Sequence, residues 1–174
     1  NRIPHRKSDV PYRKRCLYIG RLSSEKNITL LLSVFSELRD HHLTIVGNGP
    51  LLPDLLKAVD THPNLQYFDH IENHNLYQIY LDHDVLILPS LYEPWGLVVE
   101  EALYYGLSVI VSDRVGCGED LVTANEAGIV FKIADPDGLK DAIRSISDPD
   151  IYTRLKANAA AIDFDALYER QVMS

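Results

Sequence analysis

The chain has 174 residues, a length that suits one domain with a substantial core of its own. Its net charge of −8 argues against general nucleic-acid binding. No apolar run reaches the length needed to cross a bilayer, and no signal-peptide pattern opens the sequence. The two cysteines, Cys16 and Cys117, have a spacing that suggests neither a metal site nor a disulfide, so a reducing, cytoplasmic setting is expected. The first residue is Asn1 rather than Met, as expected for a piece of a longer protein. The charge is uneven: Arg2, Arg6, Lys7, Arg13, Lys14 and Arg15 stand against the single acid Asp9. A solvated basic connector over residues 1–12 is the simpler reading. An arm touching an acidic neighbouring domain, or the cytoplasmic face of an anionic membrane, is the other.

Apolar runs then alternate with helical patterns. A strand over 15–19 is followed by a helix over 28–38, a strand over 43–46 and a helix over 51–59. Next come a short strand over 65–68, a helix over 75–81, a strand over 85–88 and a helix over 97–105. A strand over 107–111, a short helix over 119–122 and a strand over 128–131 complete the alternation. Helices over 136–145, 150–161 and 165–172 finish the chain. Near-continuously apolar strands separated by helices mean a parallel sheet covered on both faces. The expected fold is an α/β, doubly wound, Rossmann-like sheet of about six strands over residues 13–162, followed by a C-terminal helix in 163–174. Such sheets bind ligands beyond the carboxyl ends of the strands, so the loops after each strand carry the chemistry.

The loop after the strand at 85–88 is the most informative. It reads Pro89-Ser90-Leu91-Tyr92-Glu93-Pro94-Trp95-Gly96 and leads into a helix. A helix start is an anion site, because its first N–H groups have no partner and the dipole is positive there. Glu93 and Glu101 flank that start. Carboxylates beside an amide-lined anion site suit a ligand that is both phosphate and polyol, such as a nucleotide sugar.

Four other loops contribute. In 20–27, Gly20 is followed by Arg21, a planar fork, and by Lys26, a compact charge set where a helix dipole is unfavourable to it. That pair suits a diphosphate; the plainer reading is two surface cations, with Lys26 paired to Glu25. In Gly47-Asn48-Gly49-Pro50 the glycines permit a tight turn and close approach to a ligand, and Pro50 suits a first helical position. In Phe68-Asp69-His70-Ile71 backbone groups are suited to reading the edge of a base, although His70 also reads as a plain surface histidine. Gly116 and Gly118 would let the loop around Cys117 approach the others. Asp82-His83-Asp84 looks like a metal-binding Asp-x-Asp, but it precedes a strand and so belongs to the opposite sheet edge, as a polar connector. His41-His42 reads as a surface turn, with no third ligand near it.

Taken together, these blocks resemble the C-terminal, donor-binding half of a GT-B glycosyltransferase of the large retaining family 4, the glycosyl transferases group 1. The resemblance rests on Tyr18-Ile19-Gly20-Arg21-Leu22 with Lys26, on Ile45-Val46-Gly47-Asn48-Gly49-Pro50, on Leu88-Pro89-Ser90, on Glu93 through Glu101, and on Gly106-Leu107-Ser108-Val109-Ile110-Val111-Ser112. It implies that Arg21 and Lys26 hold the donor diphosphate and that Glu93 contacts hydroxyls of the donor sugar. It also implies that Trp95, Gly96, Leu97 and Val98 offer backbone N–H groups, and that Glu101 accepts from both ribose hydroxyls. The family spacing selects Glu101 over its neighbour Glu100; without the resemblance, such a glutamate is a solvated helix residue. Pro94 and Trp95 stand where the family often has glycine and phenylalanine, and the Cys117 loop also departs from the common pattern. These departures bear on the identity of the sugar.

The resemblance further implies transfer from a nucleotide-diphosphate sugar, with uridine the commonest base, in the synthesis of a polysaccharide, glycolipid or other glycoconjugate. No permanently bound cofactor is implied, and no metal is required where cations and amides neutralise the phosphates. The acceptor side belongs to an N-terminal domain outside these residues, so the chain alone is expected to be inactive. A nucleotide-sugar epimerase, a sugar phosphorylase and a non-catalytic nucleotide-binding module are the competing readings, and fold alone does not separate them.

Overall fold

The computed structural model describes residues 10–173. The basic stretch expected to act as a connector therefore falls largely outside the described residues, including Arg2, Arg6 and Lys7. Six strands form one parallel sheet: β1 Arg15–Ile19, β2 His42–Val46, β3 Leu65–Phe68, β4 Val85–Leu88, β5 Ser108–Ser112 and β6 Gly128–Phe131. Their spatial order is β3-β2-β1-β4-β5-β6. Cys16 on β1 lies between Leu43 on β2 and Val85 on β4, which fixes the register at the centre. Every residue of β4 and β5 is buried, as the unbroken apolar runs require of strands covered on two faces.

Seven α-helices accompany the sheet among the described residues: α1 Ile28–Glu37, α2 Leu52–Thr61, α3 Asn73–Asp82, α4 Leu97–Tyr104, α5 Gly138–Ile146, α6 Pro149–Ala160 and α7 Phe164–Met173. Right-handed crossovers put α1 and α2 on one face and α3 and α4 on the other, because the direction of strand addition reverses between β1 and β4. The loops leaving those two strands diverge, and a crevice opens between them. The helices obey their patterns. On α5, Leu139, Ala142, Ile143 and Ile146 are buried on one face. Before α6, the Asp148 side chain accepts from the amides of Asp150 and Ile151, with Pro149 in the first turn. Lys140 on α5 reaches Glu37 on α1 at 2.7 Å, while Phe164 of α7 packs edge-on against Tyr104 of α4.

Several expectations are corrected. Pro50 precedes α2, and the first-turn proline is Pro53. The short helix after Cys117 is a π-type turn over Gly118–Thr123. His41 is not a surface residue: it is 3 % exposed, with Nδ1 3.0 Å from Asp40 and Nε2 3.1 Å from the Ser147 hydroxyl. The end of α5 covers it, a long-range contact that no local pattern announces. Asp82-His83-Asp84 does lie at the amino edge of the sheet, as a polar connector; Asp82 is exposed, whereas His83 and Asp84 are buried. Asp84 is fully buried and accepts from the amides of Arg13 and Arg15 and from the Arg13 guanidinium. His83 Nδ1 donates to the Ile79 carbonyl, so its Nε2 accepts from the Thr44 hydroxyl. Both cysteines are free and buried.

Candidate functional site

The carboxyl edge of the sheet is a set of loops tied to one another. The loop after β1 is joined to the loop after β2 by the Leu22 amide donating to Asn48 and the Leu51 amide donating to Leu22. Gly47 makes this approach possible: its φ is +147°, and a Cβ there would collide with the Gly20 carbonyl. The loop after β4 is held on both sides. The Leu91 amide donates to Glu25, and the Asn27 side chain donates to the Pro89 carbonyl. On the other flank, Glu93 forms a parallel bridge with Val115, and the Gly116 and Cys117 amides donate to Glu93 and Trp95. Main-chain bonds to Arg114 and Gly116 thus fix Glu93, in a loop that Leu91 and Pro89 tie to the other neighbour.

Gly96 ends this loop with φ +104° as the residue before α4, and no side chain caps the helix. Among the described residues the amides of Gly96, Leu97 and Val98 find no protein acceptor. These three residues line a hollow of about 270 Å³ together with Ile19, Gly20, Arg21, Lys26, Leu88 and Glu93. Here Lys26 Nζ pairs with Glu93 Oε2, not with Glu25. The pair joins residues far apart in sequence across the β1–β4 crevice, with side chains 23 % and 15 % exposed. Arg21 makes no ion pair among the described residues. Its carbonyl is held by the Tyr18 hydroxyl at 2.8 Å, and burial beside Glu93 and Glu25 keeps that phenol protonated by raising its pKa.

Two further hollows adjoin this one. The first, about 340 Å³, shares Ile19, Gly20 and Arg21 with it and continues to Gly47, Asn48, Asp69, His70 and Ile71. The second, about 380 Å³, shares Leu97 and is lined by Leu76, Glu100, Glu101, Tyr104, Tyr105 and Tyr168. The structure therefore brings Arg21, Lys26, Glu93, Gly20, Gly96, Leu97 and Val98 to one hollow. Gly47, His70 and Ile71 lie along one neighbour, and Glu101 along the other. Glu101 does not share the hollow of Arg21, Lys26 and Glu93; a ligand would have to span both. Gly49 and Trp95 line none of the three. Gly49 packs on Leu22, and Trp95 turns its indole to Glu100 at 3.0 Å.

The two neighbouring glutamates on α4 differ in kind. Glu100 is 8 % exposed and holds Trp95. The neighbouring Glu100 carboxylate is the main cause that pushes the Tyr168 phenol of α7 up to about 12. Glu101 is exposed, and its Oε2 accepts from the Tyr80 hydroxyl at 2.8 Å. No local pattern assigns a role to Tyr80, or to Asn48 and Asp69 within their loops. Asn48 donates to Asp69 at 2.6 Å, and only its position between two loop glycines hinted at a role. Burial pushes the Cys117 thiol up to about 12, so it is no nucleophile near neutral pH.

A larger hollow, about 830 Å³, lies elsewhere among the described residues, toward the amino edge between β1–β3 and the end of α3, lined by residues such as Arg15, His42, Asn64, Gln66 and Asp82. Size commonly marks a ligand site. In a parallel sheet, however, the helix N-termini and the free amides gather at the other edge, which is where an anion finds partners. Among the described residues no three His, Cys, Asp or Glu side chains converge as metal ligands.

A switch-point crevice with helix-start amides and paired cations defines the class: a doubly wound domain of the nucleotide-binding type. The chain belongs to the glycosyl transferases group 1 family, whose model matches residues 4–161. Among its relatives, a glycogen synthase of Mycobacterium tuberculosis is 32 % identical over 160 residues, covering 86 % of this chain and 38 % of that protein. A sulfoquinovosyl transferase of Arabidopsis thaliana is 29 % identical over 136 residues, covering 78 % of this chain and 26 % of that protein. Among solved structures, the sucrose-phosphate synthase of Thermosynechococcus elongatus superposes with a TM-score of 0.75 at 27 % identity, over 96 % of this chain and 45 % of that one. The chain thus spans less than half the length of these relatives. No described helix is long and apolar enough to cross a membrane.

Proposed function

We propose that this chain is the donor-binding part of a retaining glycosyltransferase that moves a sugar from a nucleoside-diphosphate sugar to an acceptor in glycan or glycoconjugate synthesis. The observation that carries the reading is the Lys26–Glu93 pair beside Arg21 under the uncapped start of α4. Arg21 and Lys26 neutralise the diphosphate, and the amides of Gly96, Leu97 and Val98 complete its cradle. The Trp95 amide is the remaining donor of this set. Glu93 accepts from hydroxyls of the sugar, and Glu101 accepts from the ribose. The main chain at His70 and Ile71 reads the base, with Gly20, Gly47 and Gly49 keeping the loops close to the ligand. Uridine is the base favoured by family frequency.

Transfer with retention breaks the bond from the anomeric carbon to the diphosphate oxygen. The acceptor oxygen bonds to that carbon on the same face, and its proton passes to the leaving phosphate. The part of these residues is electrostatic: charge grows on the leaving diphosphate, and Arg21, Lys26 and the amides meet it. No metal is needed for that neutralisation. The acceptor comes from an N-terminal domain across the cleft, and the exposed Leu91, Tyr92 and Leu97 around the hollow support such a neighbour. Peripheral contact with the cytoplasmic face of a membrane remains part of this reading through the basic N-terminal residues, and residues 13–162 with the helix in 163–174 form its structural unit.

The test has two arms. The chain, titrated with UDP-sugars in a calorimeter, binds them and releases no product. The whole protein, supplied with the same donors and candidate acceptors in the presence of a chelator, forms a glycoside of retained configuration. Epimerised or merely hydrolysed donor, or transfer by the chain alone, contradicts the reading.

A further inference from the structure

We propose that Tyr80 is a positioning residue for nucleoside recognition: its buried hydroxyl occupies Glu101 Oε2 and so presents Oε1 as the acceptor for the ribose. This rests on the reading of Glu101 as the ribose partner.

Tyr80 lies in the last turn of α3 and is fully buried. Helix α3 runs from the carboxyl edge of the sheet back to the amino edge. The Cα–Cβ bonds of a helix lean toward its N-terminus, so a long side chain from the last turn reaches back toward the site. The ring stacks on Tyr105 with centroids 5.0 Å apart and planes 16° apart. With the ring held, the hydroxyl is fixed where Glu101 meets it at 2.8 Å. A phenol has one proton to give, and here it goes to Oε2. Burial first, then the hydrogen bond and charge of Glu101, hold that proton on the phenol well above its usual pKa. The bond therefore keeps one sense at any working pH: Tyr80 donates and Glu101 accepts.

Glu101 is otherwise an exposed glutamate in the second turn of a helix, with several rotamers open to it. Among the described residues Oε1 has no hydrogen-bond partner. Anchoring Oε2 ahead of time leaves less side-chain freedom to lose when a ligand arrives. Two vicinal hydroxyls, which can both donate to one carboxylate oxygen, suit the acceptor that is left.

The test compares a nucleoside diphosphate with its 2′,3′-dideoxy analogue by calorimetric titration of the chain and of its Tyr80→Phe, Glu101→Ala and doubly substituted forms. Tyr80→Phe keeps the ring and its stack on Tyr105. The expected result is a preference for the ribonucleotide in the unaltered chain, reduced about 3- to 10-fold by Tyr80→Phe, the scale of one immobilised side chain. Glu101→Ala removes the preference, and adding Tyr80→Phe changes nothing further. A merely structural tyrosine would weaken both ligands alike. If Glu101→Ala removes the preference while Tyr80→Phe leaves it intact, the positioning role is overturned and the reading of Glu101 stands. If Glu101→Ala also leaves it intact, the reading of Glu101 falls and the positioning role with it.

Discussion

Replacing Glu93 by glutamine separates the two tasks assigned to the Lys26–Glu93 pair. In the unliganded chain the Lys26 ammonium is held by Glu93, and about four-fifths of both side chains is buried. An exposed pair contributes ~0–1 kcal/mol, whereas breaking a fully buried pair costs ~3–5 kcal/mol. A pair of intermediate burial lies between, on the order of 1–2 kcal/mol. An incoming diphosphate must draw Lys26 away from that carboxylate or share it, and part of its binding energy is spent there. Glutamine keeps the size of the side chain and its main-chain tethers but lacks the charge. UDP, which has no sugar, should therefore bind Glu93→Gln more tightly, by up to ~5- to 30-fold for 1–2 kcal/mol. A UDP-sugar should gain less, because the amide of glutamine offers a weaker acceptor to the sugar hydroxyls than a carboxylate does. The ratio of UDP-sugar to UDP affinity then falls. Calorimetric titration at fixed ionic strength measures both ligands, and the single tryptophan, Trp95, gives an independent fluorescence signal beside the site. If Glu93→Gln weakens UDP, the carboxylate supports the nucleotide itself and the reasoning fails.

Arg21→Ala should weaken UDP by about 10- to 100-fold, the value of a charge-assisted hydrogen bond or two, and leave uridine unaffected; calorimetry with both ligands decides it. Trp95→Phe removes a donor from the buried Glu100 carboxylate. That costs about 1–3 kcal/mol and lowers Tm by about 2–12 °C in a chain of this size, as read by differential scanning calorimetry. His83 is buried and its pKa is lowered, chiefly by desolvation. The folded state thus favours the neutral ring, and the unfolded state binds the proton more readily. The resulting stability is present above the ordinary histidine value of 6.5 and is lost as pH falls below it toward the folded-state pKa. Tm should decline through that window, and His83→Gln should flatten the decline.

The sheet was legible because its strands are short apolar blocks ended by glycine, proline or polar residues, and β1, β3, β4 and β6 fall where the blocks lie. Helix ends moved by one or two residues, since caps depend on backbone geometry more than on composition. The Glu93 loop stood out for the same local reason: a strand, a glycine and a helix start adjoin in sequence. Local pattern says nothing of partners brought together by a crossover. Lys26 met Glu93 and not Glu25 because the loops after β1 and β4 face each other at the switch point. Glu100 is buried where the indole of Trp95 donates to it, and Tyr168 lines the same hollow. His41 is buried by Ser147, far along the chain. Nothing in the local sequence singles out Tyr80, and only the fold shows its hydroxyl at Glu101.

The most direct test of the site is a chemical-shift map of the isotope-labelled chain titrated with UDP. The account predicts that the largest amide shifts fall on Gly20, Arg21, Lys26, Gly96, Leu97 and Val98. Shifts centred instead on Arg15, His42, Asn64 and Gln66, around the larger hollow at the opposite edge, would contradict it.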